Sequence, residues 1–345
     1  MRIFIDESGN FIVGGGKSRT CCVAALVVPD TVESALVEEF NWLRSAWSDA
    51  PEVKGSALSD EQMSSVLKLL GRHDVVVIAT AFDVGYQPVE QLEAFRQGQA
   101  QAFVNGLTPQ HSQHAHRWAR ELRTGWLDLP LQLMAQMYTL LLTIADVIHL
   151  APNYYAQRLP SELSSFGWVI DPKDLTPTRY EKLWEWIVCP ILQTMSLSEP
   201  WGRVEGFDYS GLNRFFDPMP DYLMPHLSKK RRAAKDGLAL SLNRVLRESV
   251  AFPDSRGEPG LHLVDAVASA ITKAMNGKLP APVWRLLGPL LLQRANREPV
   301  VRPVVFGHGP EIRAGEYHRY VLRALTIRCK RMIVSEDPVV EAKAP

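Results

Sequence analysis

Four acidic residues stand where an apolar segment ends or turns. Asp6 closes the run RIFID, Glu52 sits in PEVKGS, Asp171 closes WVID, and Asp265 interrupts the helical pattern LHLVDAVASA. Carboxylates are hard oxygen donors, and three or four of them brought together hold Mg2+ or Mn2+ well. A pair of such ions can activate a water and stabilise the leaving oxygen of a phosphodiester. Asp265 is the least expected of the four, because Leu261, Val264, Ala268 and Ile271 form a stripe that must be buried. A carboxylate beside that stripe needs a positive partner, and a divalent cation would serve. The small residues Ala266, Ala268, Ser269 and Ala270 would let the helix lie close to a sheet. The opening IDESGN is also good turn chemistry, so it does not decide the matter unaided.

Three other patterns invite chemistry. GGGKS, at 14 to 18, resembles the end of a phosphate-binding loop, but the motif G-x-x-x-x-G-K-[ST] needs glycine at position 11, which is Phe11. GGGKS also leads into an apolar strand-like run rather than a helix, so a hairpin tip is the expectation. QHSQHAHRW gathers His111, His114 and His116 without cysteine or an HExxH partner, and reads as a polar loop rather than a zinc site. Two runs are basic: Lys229, Lys230, Arg231, Arg232 and Lys235, and then Arg319, Arg323, Arg328, Lys330 and Arg331 on an expected helix. Either run suits a phosphate backbone, and either suits a solvated face.

The elements that must position these residues follow from hydrophobic spacing. Short branched runs at 2 to 6 and 20 to 29, separated by turn residues, predict a hairpin. Helical spacing covers 31 to 48, and Ser59 with Gln62 opens a second helix at 59 to 70 in the manner of a capping box. A buried strand is expected at 74 to 82, helices at about 88 to 105 and 128 to 150, and a strand at 166 to 171. A helix at about 176 to 195, a short strand at 247 to 252 and a helix at 260 to 275 complete a β-β-α-α-β-α-α-β-α-β-α order. Residues 131 to 150 are apolar enough to suggest a membrane span, but Gln132, Gln136, Asp146 and His149 favour a buried core helix, with no membrane partner.

Composition narrows the partners little. The 345 residues are 46% hydrophobic, enough for a large core, and 38 Lys plus Arg balance 38 Asp plus Glu, so any pull on nucleic acid must come from local patches. Cys21, Cys22, Cys189 and Cys329 show no CxxC spacing, and a reducing, cytoplasmic setting is expected.

FIDESGNF, EVKGS, WVID and FPDSRGEPGLHLVDAVASAI, in this order over residues 1 to about 275, make the chain resemble the domain of unknown function 3800 family. The resemblance implies an α/β fold of ribonuclease H-like type, a mixed five-stranded sheet flanked by helices; on this chain it spans 1 to 277 with helical insertions at about 88 to 160 and 196 to 246, the latter, long and Pro-rich, departing from the family pattern, as does the chain after Gly277. Residues 278 to 345 would form a C-terminal extension with a basic helix and a flexible tail. It further implies that Asp6, Glu52, Asp171 and Asp265 hold Mg2+ or Mn2+. Lys54 would contact the scissile phosphate or neutralise excess acid, and Glu7 is a secondary ligand only if it turns to the Asp6 face. The expected function is a metal-dependent phosphodiesterase or nuclease on DNA or RNA, with Lys229, Lys230, Arg231 and Arg232 as phosphate contacts. The alternatives are a non-catalytic nucleic-acid- or protein-binding module on the same fold, and hydrolysis of a small phosphorylated substrate.

Overall fold

The computed structural model describes residues 1–13, 19–47, 52–85, 87–109, 111–172, 184–198, 201–218, 238–294, 298–306 and 316–333. GGGKS, the basic run at 229 to 235 and the expected tail lie outside these residues. The chain is α/β, with a mixed six-stranded sheet in the order β7-β4-β1-β2-β3-β8 and helices on both faces. Its strands are β1 (Arg2–Ser8), β2 (Thr20–Val28), β3 (Val76–Asp83), β4 (Gly167–Ile170), β7 (Val250–Ala251) and β8 (Val301–Val304). A separate two-stranded ribbon pairs β5 (Phe216–Pro218) with β6 (Leu238–Leu240).

The hairpin β1–β2 forms as its two branched runs predict, and β3 continues the antiparallel ladder. β4 then adds to the free edge of β1 in parallel, and β7 adds in parallel to β4. The sheet has six strands rather than the expected five. The sixth, β8, comes from the segment read as an extension and pairs in parallel with β3. Its four residues, including Pro303, carry too little alternation to register as a strand in sequence; burial against β3 selects it. Both edge strands are short, which limits open pairing surface.

The α-helices among the described residues are α1 (Asp30–Ser45), α2 (Asp60–Leu70), α3 (Val89–Asn105), α4 (Gln113–Leu127), α5 (Leu131–Tyr155), α6 (Cys189–Ser198), α7 (Leu242–Arg247), α8 (Pro259–Met275), α9 (Ala281–Trp284) and α10 (Glu316–Ile327). The capping box of α2 is present: Gln62 N–H donates to Ser59 Oγ at 3.2 Å and Ser59 N–H to Gln62 Oε1 at 2.9 Å. The polar loop expected over QHSQHAHRW, 110 to 118, is helical from Gln113 on, where α4 begins. Ser112 caps it by accepting from the Ala115 amide at 3.1 Å, and Ala119, Leu122 and Trp126 give it a buried face.

Two cores sandwich the sheet. On one side Ile3 and Ile5 of β1, Trp168 and Ile170 of β4, and the length of α5 pack together. On the other, Phe4, Ala24 and Val169 pack against Leu261, Val264, Ala268 and Ile271 of α8, joined by α1, α2 and α10. β2 is buried throughout because both its faces are covered. α5 is the one helix among the described residues long and apolar enough to cross a membrane, and 78% of its most apolar window is spent against the rest of the chain. Its Asp146 is buried and bound by Arg294 and by Arg302, the latter at 2.9 Å. Because α5 shares a core with β1 and β2, the helices at 89 to 155 are built onto the sheet rather than set apart from it.

Candidate active site

The parallel register of β1 and β4 brings the first two acids together. Ile5 stands opposite Ile170, and the Asp171 amide donates to the Ile5 carbonyl at 3.1 Å, so one step further Asp6 and Asp171 lie side by side. Neighbouring strands run about 4.8 Å apart. Side chains alternate along a strand, so Asp6 shares a face with Phe4, and Asp171 with Val169; both face the core containing α8. Glu7 points the other way, where Gln136 of α5 donates to its Oε1 at 2.5 Å. It is therefore not a secondary ligand on the Asp6 face.

α8 supplies the third acid. It lies over β1 and β2 at close range: a Cβ on Gly260 would fall 2.2 Å from the Phe4 ring. Asp265 forms no ion pair among the described residues. Its Oδ2 accepts the Gly55 N–H at 2.8 Å, and its Oδ1 accepts Ser269 Oγ–H at 3.2 Å. The turn at Gly55–Ala57 is thereby pinned to the helix, so closely that a Cβ on Gly55 would sit 2.6 Å from the Asp265 carbonyl oxygen. Lys273 secures the same turn through the carbonyls of Gly55 and Leu58, at 3.4 and 3.3 Å.

That turn carries EVKGS to the site. Glu52 accepts from Ser255 Oγ at 3.1 Å and forms an ion pair with Lys54, which holds its carboxyl below the ordinary range. Lys54 is raised in turn, first by Glu52 and, from further off, by Asp171 and Asp265. Asp171 is pushed up to about 6, chiefly by burial; the repulsion of Asp265 and Glu52 adds to this and Lys54 opposes it. No described residue donates a hydrogen bond to the Asp171 carboxylate.

Glu52, Lys54, Asp171 and Asp265 thus feel one another at one end of the sheet, with Asp6 beside Asp171. The side chains do not close into a ready grip: among the described residues no three His, Cys, Asp or Glu side chains stand close enough to hold one ion. The donor set still fits a hard divalent cation, since it is all carboxylate and Asp171 has an open, half-buried carboxyl group. Among the basic candidates, α10 forms as a helix. His111 and His116 stay local, His111 Nδ1 with Thr108 and His116 Nε2 with the Thr108 carbonyl.

Sequence reading passed over Ser255 and Gly55, took Ser269 only as a small residue rather than a hydrogen-bond donor to Asp265, and passed over His262. His262 is buried beside Glu52 and Asp265, edge-on to Phe40 at 6.3 Å, and burial pushes its imidazole below the ordinary range. A histidine inside the apolar stripe of α8 was the available signal. No protein-family model, curated protein or solved structure matches the chain.

Proposed function

We propose that the chain is a divalent-metal-dependent phosphodiesterase acting on nucleic acid, on a ribonuclease H-like sheet of the kind the domain of unknown function 3800 family resemblance implies. The strand order supports the fold: β3-β2-β1 antiparallel, with β4 and then β7 joined in parallel on the far side of β1, and β8 as an addition. The observation that carries the function is the placement of Asp6 and Asp171 on adjacent parallel strand ends, facing the helix that carries Asp265.

In this reading Asp6, Glu52, Asp171 and Asp265 hold Mg2+ or Mn2+, and the bound ions supply an activated water and stabilise the leaving oxygen. Gly55 N–H and Ser269 Oγ–H orient Asp265, and Ser255 orients Glu52. Lys54 neutralises part of the acid charge through Glu52, the role its ion pair favours over direct contact with phosphate. The run Lys229, Lys230, Arg231 and Arg232 is proposed to follow the backbone. Changing the four to alanine would weaken binding across all sequences and flatten its salt dependence by about 0.7 to 0.9 log units per lost contact.

The test is cleavage of a DNA and RNA panel with Mg2+ or Mn2+. Asp6→Asn and Asp171→Asn should each abolish metal-dependent cleavage while leaving the fold intact; full activity in the Asp6→Asn protein would overturn the assignment. The ion pair between Lys54 and Glu52 also supports the second reading, a non-catalytic binding module whose acids are satisfied internally. Nucleic-acid binding without metal-dependent cleavage would select it.

A further inference from the structure

α10 leaves the site end of the sheet along the same face as α8. His318, near its start, lies 3.3 Å from Thr20 Oγ1 at the start of β2, and Asp83 at the end of β3 is beside it. The C-terminal ends of β1 and β4, with Asp6 and Asp171, are at this end of the sheet. At its other end the chain reaches Lys330, which pairs with Asp74 ahead of β3 at 3.4 Å. Val321, Leu322 and Leu325 are buried in the core shared with α8, which turns the remaining residues outward.

What faces outward is cationic and aromatic. Residues 317 to 333 contain five Lys and Arg and no Asp or Glu. Arg319 and Arg323 are exposed, and neither has an ion-pair partner among the described residues. Tyr317 and Tyr320 are 43% and 49% exposed, high values for such large rings. Tyr320 is held in place: its ring meets Trp284 edge-on at 5.9 Å, and Arg285 donates to its hydroxyl at 2.9 Å. Two exposed aromatic rings, one of them braced, interleaved with guanidinium groups that have no ion-pair partner among the described residues are the elements of a platform for unpaired bases and their phosphates.

We propose that the outward face of α10, with Tyr317, Arg319, Tyr320 and Arg323, binds single-stranded nucleic acid and leads it toward the acidic end of the sheet. The destination of the strand rests on the phosphodiesterase reading; the binding does not. Unpaired bases are favoured over duplex because the tyrosines contribute only where a base face is free.

The experiment is fluorescence anisotropy of a labelled single-stranded dT20 and of a 20-base-pair duplex with the full chain in EDTA, across a salt series. Arg319→Gln/Arg323→Gln should reduce the salt slope by about 0.7 log units per contact, hence weaken dT20 binding about 25-fold at 0.1 M salt. Tyr317→Ala should weaken dT20 binding about tenfold and leave the duplex unaffected. Arg117→Gln/Arg123→Gln on α4, exposed and on another helix, should retain wild-type affinity. All variants change surface side chains, and matched thermal melts confirm folding. An unchanged slope in the Arg319→Gln/Arg323→Gln protein overturns the inference, as does binding of polyglutamate in preference to dT20, which would give the face to an acidic protein. Because no metal is present, these outcomes are independent of whether Asp6 and Asp171 support cleavage.

Discussion

Asp171→Asn should stabilise the metal-free protein at neutral pH and not at acid pH. The Asp171 carboxyl is pushed from an ordinary 3.8 to about 6, chiefly by burial. A raised acid pKa means that the folded state holds the proton more tightly than the unfolded chain. Below pH 3.8 both states are protonated and nothing is lost; between 3.8 and about 6 only the unfolded chain releases its proton, so stability falls as pH rises; above about 6 the full penalty persists. At about 1.4 kcal/mol per pH unit the penalty is at most about 3 kcal/mol, and solvent access to this half-buried group reduces it to about 1 to 2 kcal/mol. An unfolding entropy of about 2 cal/mol/K per residue then places the gain in Tm at about 1.5 to 3 °C. Paired thermal melts of wild type and Asp171→Asn in EDTA at pH 4.5 and 7.5 read this directly, because the other titrating groups cancel in the difference. Mn2+ added at pH 7.5 should reverse the ranking by stabilising wild type alone. A difference in Tm that does not grow between pH 4.5 and 7.5 would refute the burial argument, and equal stabilisation of both proteins by Mn2+ would remove Asp171 from the ligand set.

Asp265→Ala strands the Gly55 amide and the Ser269 hydroxyl, and calorimetry should show a loss of about 1 to 3 kcal/mol. Gly55→Ala drives a Cβ toward backbone atoms of Asp265 and Ala266 rather than toward a side chain that can move, at a cost of about 1 to 3 kcal/mol; an unchanged melt would contradict the close packing of the turn on α8. Lys54→Gln removes the cation paired with Glu52, so titration calorimetry should find tighter Mn2+ binding, and a proton titration should find Glu52 back in the ordinary carboxylate range. Glu7→Gln should keep the Mn2+-dependent rise in Tm that Asp6→Asn loses, because Glu7 faces α5.

The alternation of RIFID and the branched run at 20 to 28 were enough to predict the β1–β2 hairpin, because a strand's period and a turn's residues are local properties. Ser59 and Gln62 marked the start of α2, and the stripe through Leu261 and Ile271 marked α8, for the same reason. The four acids were visible as charges at the ends of apolar runs or inside one. Only the family resemblance implied that Asp6 and Asp171 meet; residue spacing alone could not, since their pairing depends on β4 adding to β1 in parallel at a register set more than 160 residues away. Nor did it show that Asp265 is satisfied by a glycine amide and a hydroxyl, or that Lys54 turns to Glu52. It missed β8, whose short run becomes a strand because β3 offers it an unpaired edge. Local spacing selects helix, strand and turn through interactions a few residues long; the identity of a carboxylate's partner is settled by desolvation and packing between segments that meet only in the folded chain.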